Sequence, residues 1–367
     1  MTRVVFVDPP SPPGFIAFRH AHGGLGEMCR KSRLKIPTLD LFHAATAAKA
    51  SVVDCVLEDL KGAKAAQAIL KLRPDKIFIR TASGSEPHDR AFAKRFDVPV
   101  EFFGPQVGTP APKNLDTLRI PRWDLVDYKK YSFVTSQVSW GCPVGCEYCP
   151  YPITQGSRWR SRSPESVVGE FKTLKKRYGI PFVMLRDPYF SFDRKKTETL
   201  CRALIKAGSP ILWGCETRLD GLSAGLVKLM AEAGCIRVIF GVESATASVL
   251  KGVKRPSLSK RALKSKVALL KRHGMLTYAF YVIGLPGETT KSTMKTIELS
   301  KELATNAASF SAATPFMGTP LEERARREGT ITAPNPRHLT TSVPSMRNGS
   351  MSPEEIERLY LLAKAGT

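Results

Sequence analysis

Ser139-Trp140-Gly141-Cys142-Pro143-Val144-Gly145-Cys146-Glu147-Tyr148-Cys149-Pro150 holds three of the chain's eight cysteines in one turn-rich stretch, spaced by three residues and then by two. Gly and Pro between them bend the backbone around a compact object, and thiolate sulfur suits iron–sulfur or zinc centres. A cluster of this kind needs four ligands, and only three are local. No His lies between His88 and His273 to supply the fourth. A zinc loop would have to be closed by the distant Cys201, Cys215 or Cys235, whereas zinc modules usually bring ligands as two close pairs. A three-thiolate site left open for chemistry is the better reading.

This spacing, with an aromatic residue, Tyr148, just before the third Cys, resembles the signature of the radical S-adenosylmethionine (SAM) superfamily. The resemblance implies a four-iron four-sulfur (4Fe-4S) cluster on Cys142, Cys146 and Cys149, whose unique iron is chelated by the amino and carboxylate groups of SAM. It further implies one-electron cleavage of SAM to methionine and a 5'-deoxyadenosyl radical.

A length of 367 residues suggests about two domains, and 43% hydrophobic with 24% charged residues is a globular composition. The first apolar run is ended by Pro9 and Pro10, too early for a signal peptide, and no stretch is long enough to span a bilayer. These features point to the cytoplasm, which suits an oxygen-sensitive cluster. Cys29, Cys55, Cys201, Cys215 and Cys235 read as buried thiols.

The formal charge of +23 is densest from Lys251 to Arg272. A solvated helix face accounts for it most simply. The sharper readings are an acidic reductant such as flavodoxin or ferredoxin, an anionic or membrane-surface substrate, or RNA.

The first hundred residues alternate strands and helices: Val4–Val7, Val52–Val56, Lys76–Arg80 and Val98–Phe103 as strands, and 39–50, 63–72 and 89–95 as helices. This predicts a Rossmann-like doubly wound parallel sheet, with ligands beyond the carboxyl ends of its strands. Gly23-Gly24-Leu25-Gly26 lacks the full dinucleotide fingerprint and reads as a loop with close backbone packing. His43 follows Asp40 by three residues and reads as helix-borne rather than as a cobalt ligand.

The domain order, with the opening Val7-Asp8-Pro9-Pro10-Ser11-Pro12-Pro13-Gly14, resembles the cobalamin-binding subgroup of radical SAM enzymes. On that resemblance Ser83, Gly84 and Gly104, at strand ends, would approach cobalamin. The sequence departs from the subgroup in passing from Gly104 almost directly into a linker, without the usual fifth strand and helix. The domain is thus either a shortened cobalamin carrier or a remnant.

The expected organisation is 1–106 for this domain, 107–130 for a Pro-rich linker, 131–321 for the catalytic domain and 322–367 for an extension with one helix. Six strand-helix units within 131–321 predict a partial (β/α)6 TIM-like barrel, so the fold class is α/β throughout. The cysteine loop follows the first strand. Polar groups at later strand ends are candidates for SAM: Glu216 and Arg218 after the third, Glu243 and Ser244 after the fourth, and Gly284 after the fifth. A rim ion pair between Glu216 and Arg218 is the plain alternative.

Two chemistries fit the resemblance. One is cobalamin-dependent methylation of an unactivated carbon; the other is cobalamin-independent radical rearrangement or ring closure. The brevity of the carboxyl-terminal extension suggests a substrate that is large, lipid-linked or presented by a protein. RNA modification is the alternative the charge suggests, although the second set of cluster cysteines used by methylthiotransferases is missing upstream, where only Cys29 and Cys55 occur. A non-catalytic cluster protein would not need polar groups at successive strand ends.

Overall fold

The computed structural model describes residues 2–30, 32–110, 112–333 and 340–366. The chain divides into two units, Met1–Ser136 and Gln137–Thr367.

In the first unit, strands β1 (Val4–Asp8), β2 (Ile16–Phe18) and β3 (Glu27–Cys29) precede helix α1 (Leu39–Ala47). Then come β4 (Ser51–Asp54), α2 (Gly62–Leu70), β5 (Lys76–Arg80), α3 (Glu86–Ala93) and β6 (Val100–Phe103). The long strands form a parallel sheet in the order β4-β1-β5-β6, as the alternation predicted. Parallel strands covered on both faces bury continuous apolar runs. Val5, Val7, Ile77 and Ile79 accordingly form a core with Ile69 and Phe92 from the helices.

The β2/β3 antiparallel hairpin was not anticipated. Three-residue strands are too short to display a period of two. The hairpin confirms the close packing read into the glycine loop: Gly26, at φ +89°, leaves no room for a Cβ against Ala82.

Just past β2, Arg19 is fully buried between Asp8 and Asp89, with an Nη–Oδ distance of 2.6 Å to each. The described residues among 107–130, expected as a linker, fall within this unit. Trp123 is fully buried, with its ring 4.8 Å from that of Phe42.

The second sheet starts with β7 (Val134–Ser136), at whose end the two units divide. A small antiparallel pair, β8 (Ser139–Trp140) and β9 (Arg160–Ser161), encloses the cysteine loop and α4 (Tyr151–Gln155). The repeating units follow: α5 (Pro164–Tyr178), β10 (Phe182–Leu185), α6 (Arg194–Lys206), β11 (Leu212–Thr217), α7 (Ala224–Glu232) and β12 (Cys235–Glu243). After these come α8 (Ala247–Gly252), α9 (Lys260–Arg272), β13 (Leu276–Ile283), α10 (Thr290–Leu303), β14 (Ala307–Ala312), α11 (Pro320–Arg327) and α12 (Pro353–Ala365).

The sheet order β14-β13-β12-β11-β10-β7 follows the chain, with parallel pairing from β10 to β14, as a partial TIM-like barrel requires. Helix α11 spans the expected 321/322 boundary, so the segment beyond 321 begins inside a helix and carries α12 as well as the end of α11. Among the described residues no helix is long and apolar enough to cross a membrane.

Candidate active site

The cysteine loop is shaped by backbone before any ligand is considered. Gly141 has φ +84°, and a Cβ there would overlap the Arg158 carbonyl. Gly145, at φ +70°, makes the second bend. Both are conformations that side chains disfavour. Cys142 N–H donates to Gly156 O (3.1 Å), Glu147 N–H to Val253 O (3.0 Å), and Leu321 N–H to Glu147 O (3.0 Å). At the loop's start, the fully buried Asp187 carboxylate accepts from Val138 N–H (3.1 Å), Ser139 N–H and Ser139 Oγ (2.7 Å).

All three thiols line one cavity of about 170 Å³ at the carboxyl ends of the barrel strands. Burial pushes the Cys149 thiol up to about 12 and raises Cys142 as well, so taking up metal must release protons. Among the described residues no three Cys, His, Asp or Glu side chains already enclose a single ion. A cluster asks for something different, since each thiolate meets its own iron. Three free thiols on one cavity, with cationic Arg218 and Arg255 on its wall, fit an anionic three-cysteine cluster with one open position.

Glu216, Arg218 and Glu243 line the same cavity. Glu216 and Arg218 do not form the rim pair considered from the sequence. Glu216 pairs with Arg186, while Arg218 grips Asp220 through Nε (3.0 Å) and Nη2 (2.6 Å). Arg218 Nη1 is buried with no partner among the described residues. Burial alone would raise Asp220, but the bonded Arg218 guanidinium holds it below the usual carboxylate range.

Glu243 has φ +66° and follows an irregularity in β12 at Gly241. Its carboxylate is 3.4 Å from Arg255 Nη2, and burial raises its affinity for a proton against that attraction.

Two expected SAM residues lie elsewhere. Ser244 lines a small neighbouring hollow, and its hydroxyl accepts from Thr246 N–H (3.2 Å). Gly284 does not line the cavity. Its N–H donates to Glu288 Oε2 (2.7 Å), and a Cβ on it would stand 3.1 Å from Ile356 of α12. Its glycine therefore serves helix packing.

Among the cobalamin candidates, Ser83 N–H donates to Leu25 O (2.9 Å), and Ser83 and Gly84 are half-buried. Gly104, at φ +140°, would bring a Cβ to 2.6 Å from both Thr81 O and Arg80 Nη1. Its close approach is therefore to the chain's own arginine. Beside it, both amide atoms of Gln106 are buried without partners among the described residues. Unpaired buried amide atoms fit a ligand edged with amides, as a corrin is.

Arg255 escaped notice as an individual residue because it lies within the basic run. Much of that run does face solvent, Lys260 and Lys264 both pairing with Glu302, whereas Arg255 turns inward and donates to Gly241 O at 2.7 Å.

Residues 137–300 match the family model of the radical SAM superfamily. The chain is 31% identical over 255 residues to the uncharacterized methyltransferase PH0819 of Pyrococcus horikoshii, covering 68% of this chain and 55% of that protein. It is 30% identical over 227 residues to the anaerobic magnesium-protoporphyrin IX monomethyl ester cyclase of Rubrivivax gelatinosus, covering 58% of this chain and 40% of the cyclase. The chain thus spans about half the length of these relatives, or less. In fold it is similar to the radical SAM methyltransferase TsrM of Kitasatospora setae, solved with cobalamin and a [4Fe-4S] cluster bound. That match has a TM-score of 0.69 at 17% identity and covers 98% of this chain and 85% of TsrM.

Proposed function

The chain belongs to the radical SAM superfamily, and from that premise we propose that it cleaves SAM reductively to start radical chemistry, with cobalamin-dependent methylation of an organic acceptor as the outcome. When bound, the cluster on Cys142, Cys146 and Cys149 supplies the electron that breaks SAM's carbon–sulfur bond, and cobalamin supplies a methyl carrier. The observation that carries the reading is the opening of all three thiols onto the cavity that Glu216, Arg218 and Glu243 line.

The protein's own contribution is binding and orientation. Arg218 Nη1, held rigidly by the two bonds to Asp220, is a donor for the SAM carboxylate. Glu216 and Glu243 are acceptors for its ammonium and ribose hydroxyls. Cys142, Cys146 and Cys149 would hold the cluster and would leave its fourth ligand to be supplied by SAM, while the loop's backbone bonds keep the three cysteines on the cavity wall. At the carboxyl ends of the first sheet's strands, the Gln106 amide and the half-buried Ser83 and Gly84 are the groups suited to a corrin's amides. A cellular reductant completes the reaction.

Methyl transfer is supported by the name of the Pyrococcus relative and by the fold shared with TsrM. The cyclase relative supports a second reading, in which radical chemistry closes a ring on the substrate.

The test is anaerobic reconstitution with iron, sulfide and hydroxocobalamin, followed by desalting and ultraviolet-visible spectroscopy, then incubation with SAM and a strong reductant. Bound corrinoid, 5'-deoxyadenosine and S-adenosylhomocysteine together support methylation. A cluster with 5'-deoxyadenosine but no corrinoid moves the reading to cobalamin-independent chemistry. Failure to cleave SAM at all refutes both.

A further inference from the structure

Arg255 is held more firmly than a surface arginine in a lysine-rich turn would be. Its backbone N–H donates to Leu250 O (2.8 Å), and Lys254 before it takes the left-handed conformation at φ +52°. These features turn the side chain inward, where it is only 11% exposed. Nη2 then donates to Gly241 O at 2.7 Å and stands 3.4 Å from Glu243 Oε1.

Gly241 is what admits this pair. A Cβ there would overlap the Glu243 carboxylate and lie 3.0 Å from Arg255 Nη2. The same turn is tied to the cysteine loop twice, by the Glu147 N–H to Val253 O bond and by an ion pair of 3.3 Å between Lys254 and Glu147. Glu147 directly follows Cys146, and Cys146 and Arg255 line the same cavity, where thiol and guanidinium interact favourably.

Resting on the cluster reading above, we propose that Arg255 is a positioning residue that sets the reduction potential of the cluster through the Cys146 sulfur. Net charge and hydrogen bonds to the sulfurs govern such potentials. A fixed cation beside one thiolate stabilises the reduced, more negative cluster over the oxidised one, and low exposure keeps solvent from screening it. Arginine suits the position because its charge cannot be lost and its planar fork can serve Gly241 O and the sulfur together. Glu243 offsets part of the charge, which places the cluster's potential under the same strand end that faces SAM.

The experiment compares reconstituted full-length parent protein with Arg255→Met, Arg255→Gln and Arg255→Lys. Iron and sulfide content establishes loading, potentiometric titration followed by electron paramagnetic resonance gives the midpoint, and equilibrium binding gives SAM affinity. The expected result is a more negative midpoint in Arg255→Gln and Arg255→Met at parent iron content, with Arg255→Lys staying near the parent. Should Arg255→Met fail to load, Arg255→Gln carries the comparison. A parental midpoint in the uncharged variants overturns the proposal even if SAM affinity falls, and so does an equal shift in Arg255→Lys. A parent protein that takes up no cluster sinks the underlying assignment instead, and that failure is visible before any variant is made.

Discussion

Glu216 and Arg218 stand two residues apart at the end of β11, line one cavity, and yet take separate partners, Glu216 with Arg186 and Arg218 with Asp220. Each charge is therefore neutralised locally while facing the space where a ligand sits. In a double-mutant cycle on unfolding stability, Glu216→Gln and Arg186→Met are expected to couple by about 0.5–3 kcal/mol. Glu216→Gln and Arg218→Met should couple distinctly less. Equal coupling in the two cycles would contradict the pairing.

Among the described residues Arg218 Nη1 is an unpartnered donor on the cavity wall. Arg218→Met is expected to weaken SAM binding by roughly 1.5–3 kcal/mol, the usual worth of a hydrogen bond to a charged group. Calorimetric titration of SAM into the reconstituted protein is the measurement, and an unchanged affinity would remove Arg218 from the ligand set.

Cys146→Ala should abolish 5'-deoxyadenosine formation while leaving the far-ultraviolet circular dichroism of the chain unchanged. The loop around Cys146 is held by backbone bonds that the substitution does not touch. A variant producing 5'-deoxyadenosine at the parent rate would refute the cluster assignment.

Burial raises the carboxyl of Asp187 to about 7, against the hydrogen bonds from Ser139 and Val138 that favour its charged form. The folded state thus holds this proton more tightly than the unfolded chain, where a carboxyl titrates near ~3.9. On this account stability is greatest below about pH 4 and falls as pH rises towards 7. Asp187→Asn keeps an acceptor but cannot ionise, so its stability relative to the parent should improve across that window. Asp187→Ala leaves buried donors unpaired, at about 1–3 kcal/mol for each. Urea unfolding at pH 5 and pH 8 separates the two variants, and parallel pH dependence in Asp187→Asn and the parent would exclude the shift.

Arg19→Met leaves Asp8 and Asp89 facing each other without their shared cation. Breaking a buried pair in this manner costs about 3–5 kcal/mol. Trp123, the tryptophan of the first unit, reports that unit's unfolding by fluorescence when the other three are replaced with phenylalanine. A midpoint within error of the parent would show that the network adds little.

The architecture was legible in the sequence wherever a pattern ran long enough to repeat. Strand-helix alternation announced both parallel sheets, and the cysteine loop after the first strand pointed to the carboxyl end of the barrel as the candidate site. Short antiparallel strands such as Ile16–Phe18 and Arg160–Ser161 carry no period and went unseen. β12 takes in Glu243, which the sequence reading places after the fourth strand, because an irregularity at Gly241 lets the strand continue past its apolar run.

Of the candidate site, Glu216, Arg218 and Glu243 were legible as polar groups that the ends of successive strands bring to one cavity. Gly284 shows the converse limit: a glycine at a strand end looks the same in sequence whether a nucleoside or an isoleucine approaches it. Arg255 was hidden because composition does not reveal which member of a basic run turns inward.

The cysteine loop keeps its bends at Gly141 and Gly145, its bonds to Gly156, Val253 and Leu321, and its buried anchor at Asp187. All of these are made by the protein's own atoms. On these bonds the loop should act as a socket rather than a fold that its metal creates, and oxygen damage to the cluster should empty it without dismantling the protein. Such a protein is repairable: repeated cycles of air exposure and anaerobic reloading should restore SAM cleavage from the same molecules, without new synthesis.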